Sequence, residues 1–178
     1  FQYSLSLINF KKIFGLGLLE HGYRTPSSLF YLNSLFYLPG IKLHLINSGA
    51  VLIFGFSNIF ILNKLFIYFK KKKHDFIFFL LLLTFIYINT TFYRIAEHGT
   101  DRSSLILIFI FSIIYLESLN IKNLKSKIVL EDYYEKIMIF IALIVSFKSF
   151  YLLYFLFIIA WFYETKNLWL NKNYNRII

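Results

Sequence analysis

The sequence contains no cysteine, only two prolines and a single methionine, Met138. The absence of cysteine excludes disulfides, thiolate metal sites and cysteine nucleophiles, and it leaves the cellular compartment open. The abundance of Phe, Ile, Lys, Asn and Tyr beside so little proline is typical of an AT-rich genome, so a single Lys or Asn is weak evidence of chemistry. Because the chain starts at Phe1 and stops at Ile178 without a clear end signal, we expect it to be part of a longer protein.

Apolar and aromatic residues dominate what is present. They make up 58% and 22% of the 178 residues, more than one soluble core of this size can bury. The formal net charge is +10, but the basic residues flank long apolar runs, where positive-inside topology and anionic headgroups explain them. We therefore predict an all-α, multi-pass membrane protein, with membrane lipids and not nucleic acid as its partners.

The apolar runs predict about five membrane segments and one short helix. Four consecutive lysines at 70–73 follow the first long run and assign that end to the cytoplasm. The chain then returns outward and delivers residues 94–102 to the outer surface. Residues 120–136 are predicted to be a cytoplasmic loop with a short surface helix. The predicted membrane segments lie within 43–69, 76–90, 105–119 and 137–163.

Residues 1–42 are the least regular part and are predicted to be an extracytoplasmic loop. Within it, Thr25 is a candidate helix cap and Pro26 a candidate first-turn residue. The apolar stretch 29–38, which ends at Pro39 and Gly40, is about half the ~20 residues needed to cross a bilayer, so we expect an interfacial or re-entrant helix. Residues 1–178 are then part of a single transmembrane domain, with its transmembrane helices in 43–163 and a cytoplasmic tail at 164–178.

Lys148 divides the last apolar block, and two topologies follow from it. A single span over 137–163 places this lysine near the bilayer centre, at a cost of about 2.5–3.5 kcal/mol. A hairpin of two short helices places it at the outer surface. The hairpin puts 12 of the 19 Lys and Arg residues on the cytoplasmic side, whereas the single span puts 9 there. The positive-inside rule favours the hairpin.

The candidate binding and catalytic residues are predicted to lie together at the outer surface. Residues 94–102 hold five ionisable side chains, and the arginines, Arg94 and Arg102, have the geometry to clamp phosphate oxygens. Glu97 or Asp101 is a candidate general base or metal ligand, and His98 a candidate proton carrier. Gly99 permits a tight turn before Ser103 or Ser104 begins the next helix. The alternative is a solvated loop whose charges only anchor helix ends.

Four further residues join this site by topology. Glu20, His21 and Arg24 carry the same two interpretations, and Lys148 is either a phosphate ligand or partner of Glu97 or Asp101, or a lysine that faces headgroups. No pair of histidines has the i, i+4 spacing of a zinc site, so no metal or other cofactor is assigned. Asn47 and Asn58 lie on one helix face, which favours helix-to-helix hydrogen bonding. The aromatic residues Trp161, Tyr163 and Trp169 fit an interfacial belt.

Two segments carry a resemblance to a known group. The run Tyr93 to Asp101, with Phe147-Lys148-Ser149 in a later apolar block, resembles large bacterial inner-membrane proteins that are similar to GT-C-type glycosyltransferases and envelope-polysaccharide polymerases. The loop that begins Glu20-His21-Gly22-Tyr23 is similar to an extracytoplasmic loop of that group. The resemblance implies transfer of a lipid-linked sugar, with Glu97 or Asp101 as base or metal ligand. No Asp-x-Asp pair is present, which leaves a metal-dependent mechanism unsupported. A transporter or flippase, or a non-catalytic scaffold, are the alternatives.

Overall fold

The computed structural model describes residues 27–36, 45, 47–121 and 127–170 of the chain, except for the side chains at 95–100, 120–121, 127–130, 162 and 164–170. Throughout these residues the regular structure is helical, which confirms the all-α class. The α-helices are α1 Ser28–Ser34, α2 Ser48–Lys70, α3 Phe76–Thr91, α4 Ile95–Ile121, α5 Lys127–Phe147 and α6 Phe155–Leu170, and a 3₁₀ helix spans Ser149–Tyr154.

The short helix α1 begins one residue after its cap. The hydroxyl of Ser27 accepts a hydrogen bond from the Leu29 N–H at 3.3 Å, so Ser27 and not Thr25 caps the helix. The predicted residues Thr25, Pro26, Pro39 and Gly40 lie outside the described part of the chain. Gly49, at the start of α2, lets α1 approach closely, because a Cβ there would meet Asn33 and the Leu32 side chain. The small residue therefore sets the packing of α1 on α2.

Two of the described helical stretches are long and apolar enough to cross a membrane: α2, and Asp101–Leu119 within α4. The helix α3 and the stretch Ser149–Trp161 are apolar but shorter. Short connections at 71–75 and 92–94 make α3 antiparallel to both of its neighbours, so α2 and α4 run in the same direction. In the first connection Lys72 has a left-handed backbone (φ 52°) and Asp75 caps α3 by accepting from the Phe78 N–H at 3.2 Å.

The predicted loop at 94–102 is wrong, because α4 already begins at Ile95. Gly99 is therefore a helical position and not a turn, and Ser103 and Ser104 lie inside the helix, fully buried. The physical reason is that hydropathy marks where a helix meets an apolar environment, whereas backbone hydrogen bonding also continues through polar residues. Asp101 and Arg102 thus project from a rigid helix two turns after its start.

The second half of the structure is a helical hairpin with Lys148 at its tip. Lys148 has an extended backbone (φ −150°, ψ 111°) that ends α5 and starts the 3₁₀ helix. Tyr134 of α5 stacks on Trp161 of α6 with ring centroids 5.7 Å apart, at nearly equal distances along the chain from the tip. A single continuous helix across 137–163 is thereby contradicted. The separate surface helix predicted within 120–136 is also wrong, because α5 runs without a break from Lys127, and α6 extends to Leu170 into the predicted tail.

The core lies between α4 and the helices around it, whereas the outward faces of α2, α3 and the hairpin are apolar. Phe56 and Phe66 of α2 are 66% and 65% exposed, and Leu83 of α3 is 66% exposed. Exposed apolar surface on this scale marks contact with an apolar partner or with lipid. This exposed apolar surface agrees with the presence of two helical stretches that are long enough to cross a membrane.

Candidate functional site

One end of the bundle brings together two residues that the sequence placed on the same side. Lys148, at the hairpin tip, forms an ion pair with Asp101, which projects from the start of α4. Contact with Glu97 or Asp101 was one of the alternatives that the sequence left open for Lys148, and the structure shows the contact with Asp101; the roles of both residues in binding or catalysis stay predictions. The side chains of Lys148 and Asp101 are 36% and 56% exposed, so both remain open to the surroundings. We call this region the Lys148 end.

Two arginines belong to the Lys148 end. The guanidinium carbon of Arg102 lies 6.0 Å from the ring centroid of Phe92, in a cation–π arrangement that holds the side chain against the residue that follows α3. Arg94 is exposed and directly precedes α4, two helical turns before Arg102. Among the side chains that the structure describes at this end, Arg94, Arg102 and Lys148 are cations and Asp101 is an anion, and Glu97 on the same stretch of α4 adds a second acidic residue.

The other predicted site residues are located only in part. Positions 97 and 98 lie in the first turns of α4, on the same stretch as Asp101, but the side chains of Glu97 and His98 are outside the description. Glu20, His21 and Arg24 lie outside the described residues altogether. Their proposed roles stay predictions. Among the residues described, no group of three or more His, Asp and Glu side chains is arranged to hold a metal ion.

A second polar cluster, which the sequence analysis missed, lies toward the opposite end of α4. Glu117 is only 3% exposed, and its carboxylate accepts hydrogen bonds from the Lys64 ammonium at 2.6 Å and the Tyr68 hydroxyl at 3.3 Å, both on α2. The Tyr133 hydroxyl, on α5, donates a third at 3.3 Å. We call these four residues the Glu117 cluster. It joins three helices through a single buried carboxylate.

The hydrogen bonds of the Glu117 cluster satisfy its buried carboxylate. Three donors share the carboxylate, as a buried anion requires. Burial, and next the negative charge of Glu117, raises the pKa of the Tyr133 phenol above its ordinary value, so this group stays a hydrogen-bond donor at neutral pH. The cluster is therefore built to stabilise an ionised glutamate.

The signal for this cluster was present in the sequence. Lys64 and Glu117 each interrupt a strongly apolar run, and charges in such positions need partners. Lys64 was instead counted only as one basic residue of the cytoplasmic side. Pairing the two required the register between α2 and α4, which no local pattern provides.

Trp161 completes the packing beside the Glu117 cluster. Its indole N–H donates to the Ser118 hydroxyl at 2.9 Å, and the residue is fully buried. The predicted aromatic belt is thus wrong for Trp161, whereas Tyr163 is 68% exposed and fits it. The indole N–H is the single hydrogen-bond donor of a tryptophan side chain. Because the Ser118 hydroxyl oxygen accepts from it, Trp161 can be buried in the core without loss of that hydrogen bond.

The polar helix contact predicted for Asn58 is confirmed. The Asn89 amide on α3 donates to the Asn58 side-chain oxygen on α2 at 2.7 Å. Asn58 also donates to the Phe54 carbonyl at 3.1 Å. The pair fixes the register of α2 against α3 and offers no ligand site.

The two polar regions lie far apart along the same helix. From Asp101 to Glu117, α4 rises about 24 Å at 1.5 Å per residue, which is somewhat less than the ~30 Å hydrocarbon thickness of a bilayer. Because α5 is antiparallel to α4, Tyr133 near its start lies at the level of Glu117, and Lys148 just after its end lies at the level of Asp101. The arrangement places an exposed ion pair at one level and a buried one at the other.

Comparison with known protein families, curated proteins and solved structures finds no match for this chain. The case for a function therefore rests on the geometry of the Lys148 end and of the Glu117 cluster.

Proposed function

We propose that the chain is part of a multi-pass protein of the bacterial inner membrane, which binds the phosphate of a lipid-linked sugar at the Lys148 end. The observation that carries the proposal is the ion pair of Lys148 and Asp101, which joins the hairpin tip to a helix start that also bears Arg102. Arginine and lysine are the side chains that bind phosphate oxygens most effectively.

The membrane part of the proposal has its own support. The 23-residue helix α2 is about 34 Å long, enough to cross a bilayer, and it ends at the exposed lysines at 70–73. The hairpin of α5 and α6 places Lys148 at the end opposite these lysines, because α5 is antiparallel to α4. Positive-inside topology then makes the Lys148 end extracytoplasmic. About five membrane segments remain a proposal, since α3 and the second hairpin arm are short.

The reaction we propose is a glycosyltransferase-like or polymerase step in envelope glycan assembly. In it, Arg94, Arg102 and Lys148 bind the phosphate, and Glu97 removes a proton from the acceptor hydroxyl. Glu97 is preferred to Asp101 as the base, because Asp101 is already engaged by a lysine.

Transport of the same anionic lipid is the second candidate. The engagement of Asp101 by Lys148 favours it, because a site that binds phosphate through cations needs no base to move its substrate. The helical hairpin of α5 and α6 is also compatible with movement of one helix pair against another.

A direct test uses the whole protein in an uncharged maltoside detergent with radiolabelled farnesyl phosphate as the probe. We expect Lys148→Met and Arg102→Met to weaken equilibrium binding at least tenfold each, since each removes a charge that contacts the phosphate. Lys136→Met is the matched control, because Lys136 forms an exposed ion pair with Asp132 on another part of the hairpin. Unchanged binding in the first two variants refutes the proposed site.

The two candidates separate by a second measurement. Glu97→Gln abolishes sugar transfer from a lipid-linked donor if Glu97 is the base, and leaves binding of farnesyl phosphate intact. If transfer survives in Glu97→Gln while Lys148→Met abolishes it, base catalysis by Glu97 is wrong and binding or transport stands. If Glu97→Gln, Lys148→Met and Arg102→Met are all silent in cells, the scaffold alternative is correct.

A further inference from the structure

We propose that Asp101 is an internal competitor at the phosphate site: it holds Lys148 until the phosphate of a lipid substrate takes its place. The inference rests on the proposed function and names how the site is regulated. Asp101 is then neither a base nor a metal ligand. It is an autoinhibitory group whose carboxylate imitates the phosphate.

The exposure of the two ion pairs decides which of them can exchange. The side chains of Lys148 and Asp101 are 36% and 56% exposed, whereas those of Lys64 and Glu117 are 26% and 4% exposed. An exposed pair contributes little stability, and a buried carboxylate has no solvent to receive it when its partner leaves. Exchange is therefore open to the Lys148 end and closed to the Glu117 cluster.

A sugar linked to its lipid through a diphosphate carries two negative charges, which allow it to displace a carboxylate from lysine, and its charge is represented in the experiment by the monoester farnesyl phosphate. The monoester carries a charge of about −1.5 to −2 at neutral pH and three acceptor oxygens, against one charge and two oxygens for aspartate. The extra oxygens also reach Arg102, one residue after Asp101 in α4. The displaced Asp101 carboxylate turns to solvent, which its exposure permits.

The backbone at the tip allows the Lys148 side chain to change partners while the fold stays in place. The Lys148 N–H donates to the Ile144 carbonyl at 3.1 Å, and its carbonyl accepts from the Tyr151 N–H at 3.1 Å. These bonds hold the extended residue between α5 and the 3₁₀ helix. The four-carbon side chain is the mobile part, and its ammonium has three donors that can be redistributed.

The residues after Lys148 identify the source of the phosphate as a lipid. Phe150, Leu152 and Leu153, in the 3₁₀ helix, are 70%, 60% and 65% exposed. An apolar surface directly beside a phosphate-binding lysine fits a prenyl or acyl chain that continues from the headgroup. Free phosphate would gain nothing from it.

The experiment measures binding of radiolabelled farnesyl phosphate to the whole protein in an uncharged maltoside detergent, with protein-free micelles subtracted. Removing the competitor with Asp101→Asn is expected to tighten binding about two- to fivefold, the range set by the small contribution of an exposed ion pair. Asp101→Ala is expected to act in the same direction. The matched control is Asp132→Asn, which breaks the exposed pair of the same type with Lys136 and leaves affinity unchanged.

Each outcome decides a different point. Tighter binding in both Asp101 variants, with Asp132→Asn unchanged, supports the competitor role. Unchanged or weaker binding in Asp101→Asn, when the unsubstituted protein binds the probe, overturns that role and leaves the phosphate site standing. If neither protein binds farnesyl phosphate, the proposed function is wrong, and the competitor role with it. Inorganic phosphate that competes as well as farnesyl phosphate overturns the assignment to a lipid.

Discussion

Removing Lys64 is expected to destabilise the folded chain more than removing the charge of Glu117, although the two residues form one ion pair. In Lys64→Met the Glu117 carboxylate loses the cationic partner that it has among the described residues, while its side chain is 4% exposed and has little access to solvent. Breaking a buried pair in this way costs about 3–5 kcal/mol. The two tyrosine hydroxyls still donate to the carboxylate, which places the expected loss toward the lower part of that range.

The reverse change leaves a different residue alone. In Glu117→Gln the unpaired charge is that of Lys64, whose side chain is 26% exposed and six residues from the end of α2. A lysine side chain can extend its ammonium along the helix toward the headgroups. We therefore expect a smaller loss of about 2–3 kcal/mol, below the cost of leaving a fully buried charge unpaired.

The assay is reversible denaturation with dodecyl sulfate in mixed micelles, followed by the fluorescence of Trp161 in a Trp169→Phe background. Trp161 is a local reporter, because its indole bonds to Ser118, the neighbour of Glu117. The double variant Lys64→Met with Glu117→Gln is expected to lose less than the two single losses together, with a coupling of about 1–3 kcal/mol. The control Lys136→Met breaks an exposed pair and is expected to lose less than about 0.5 kcal/mol. A loss in Lys64→Met no larger than in the control, or smaller than in Glu117→Gln, refutes the reasoning.

Three further predictions test the fold. Cysteines introduced at Tyr93 and Phe150, each 70% exposed, should react with an impermeant thiol reagent from one side of the membrane, and a cysteine at Lys72 from the other; labelling of all three from one side contradicts the topology. Gly49→Ala should destabilise by about 1–3 kcal/mol, because its Cβ overpacks against Asn33 and Leu32, whereas Gly55→Ala, with open space around it, should be neutral or stabilising in the same denaturation assay. Trp161→Phe should lose about 1 kcal/mol or more, since the Ser118 hydroxyl loses its donor, and Ser118→Ala should cost a similar amount by removing the acceptor of the indole N–H. Because Trp161→Phe removes the fluorescent reporter, both variants are followed by the loss of helical circular dichroism in the same denaturant.

The sequence predicted the helices well where composition determines them. The bounds expected for the second run, 76–90, agree with α3, because Asp75 caps the helix and apolar residues fill it. The break at Lys148 also followed from physical chemistry, since a lone lysine in an apolar run is costly unless the chain turns there. The starts of α4 and α5 were missed, because charged residues lie within the first two or three turns of each helix and hydropathy does not register a helix outside an apolar environment.

For the candidate site, the sequence predicted only which residues lie at the same end of the bundle. Topology and charge counting brought Asp101 and Lys148 to one side, and the structure pairs them. What they could not supply was the register of α2 on α4, which pairs Lys64 with Glu117 across 53 positions of sequence. Local patterns report on residues a few positions apart, whereas this contact depends on how two whole helices pack.

The two ion pairs on α4 differ in how easily they open, and the difference follows from their environments. Both use a lysine from a neighbouring helix or tip and a carboxylate on α4, so composition does not distinguish them. The carboxylate of Glu117 has three donors and no solvent, which makes its pair difficult to open and suits it to holding α2, α4 and α5 together. The carboxylate of Asp101 is more than half exposed, so its pair opens at little cost. The proposed exchange at the Lys148 end requires that the helices stay fixed at the other level, and a single helix that carries both ion pairs meets that requirement.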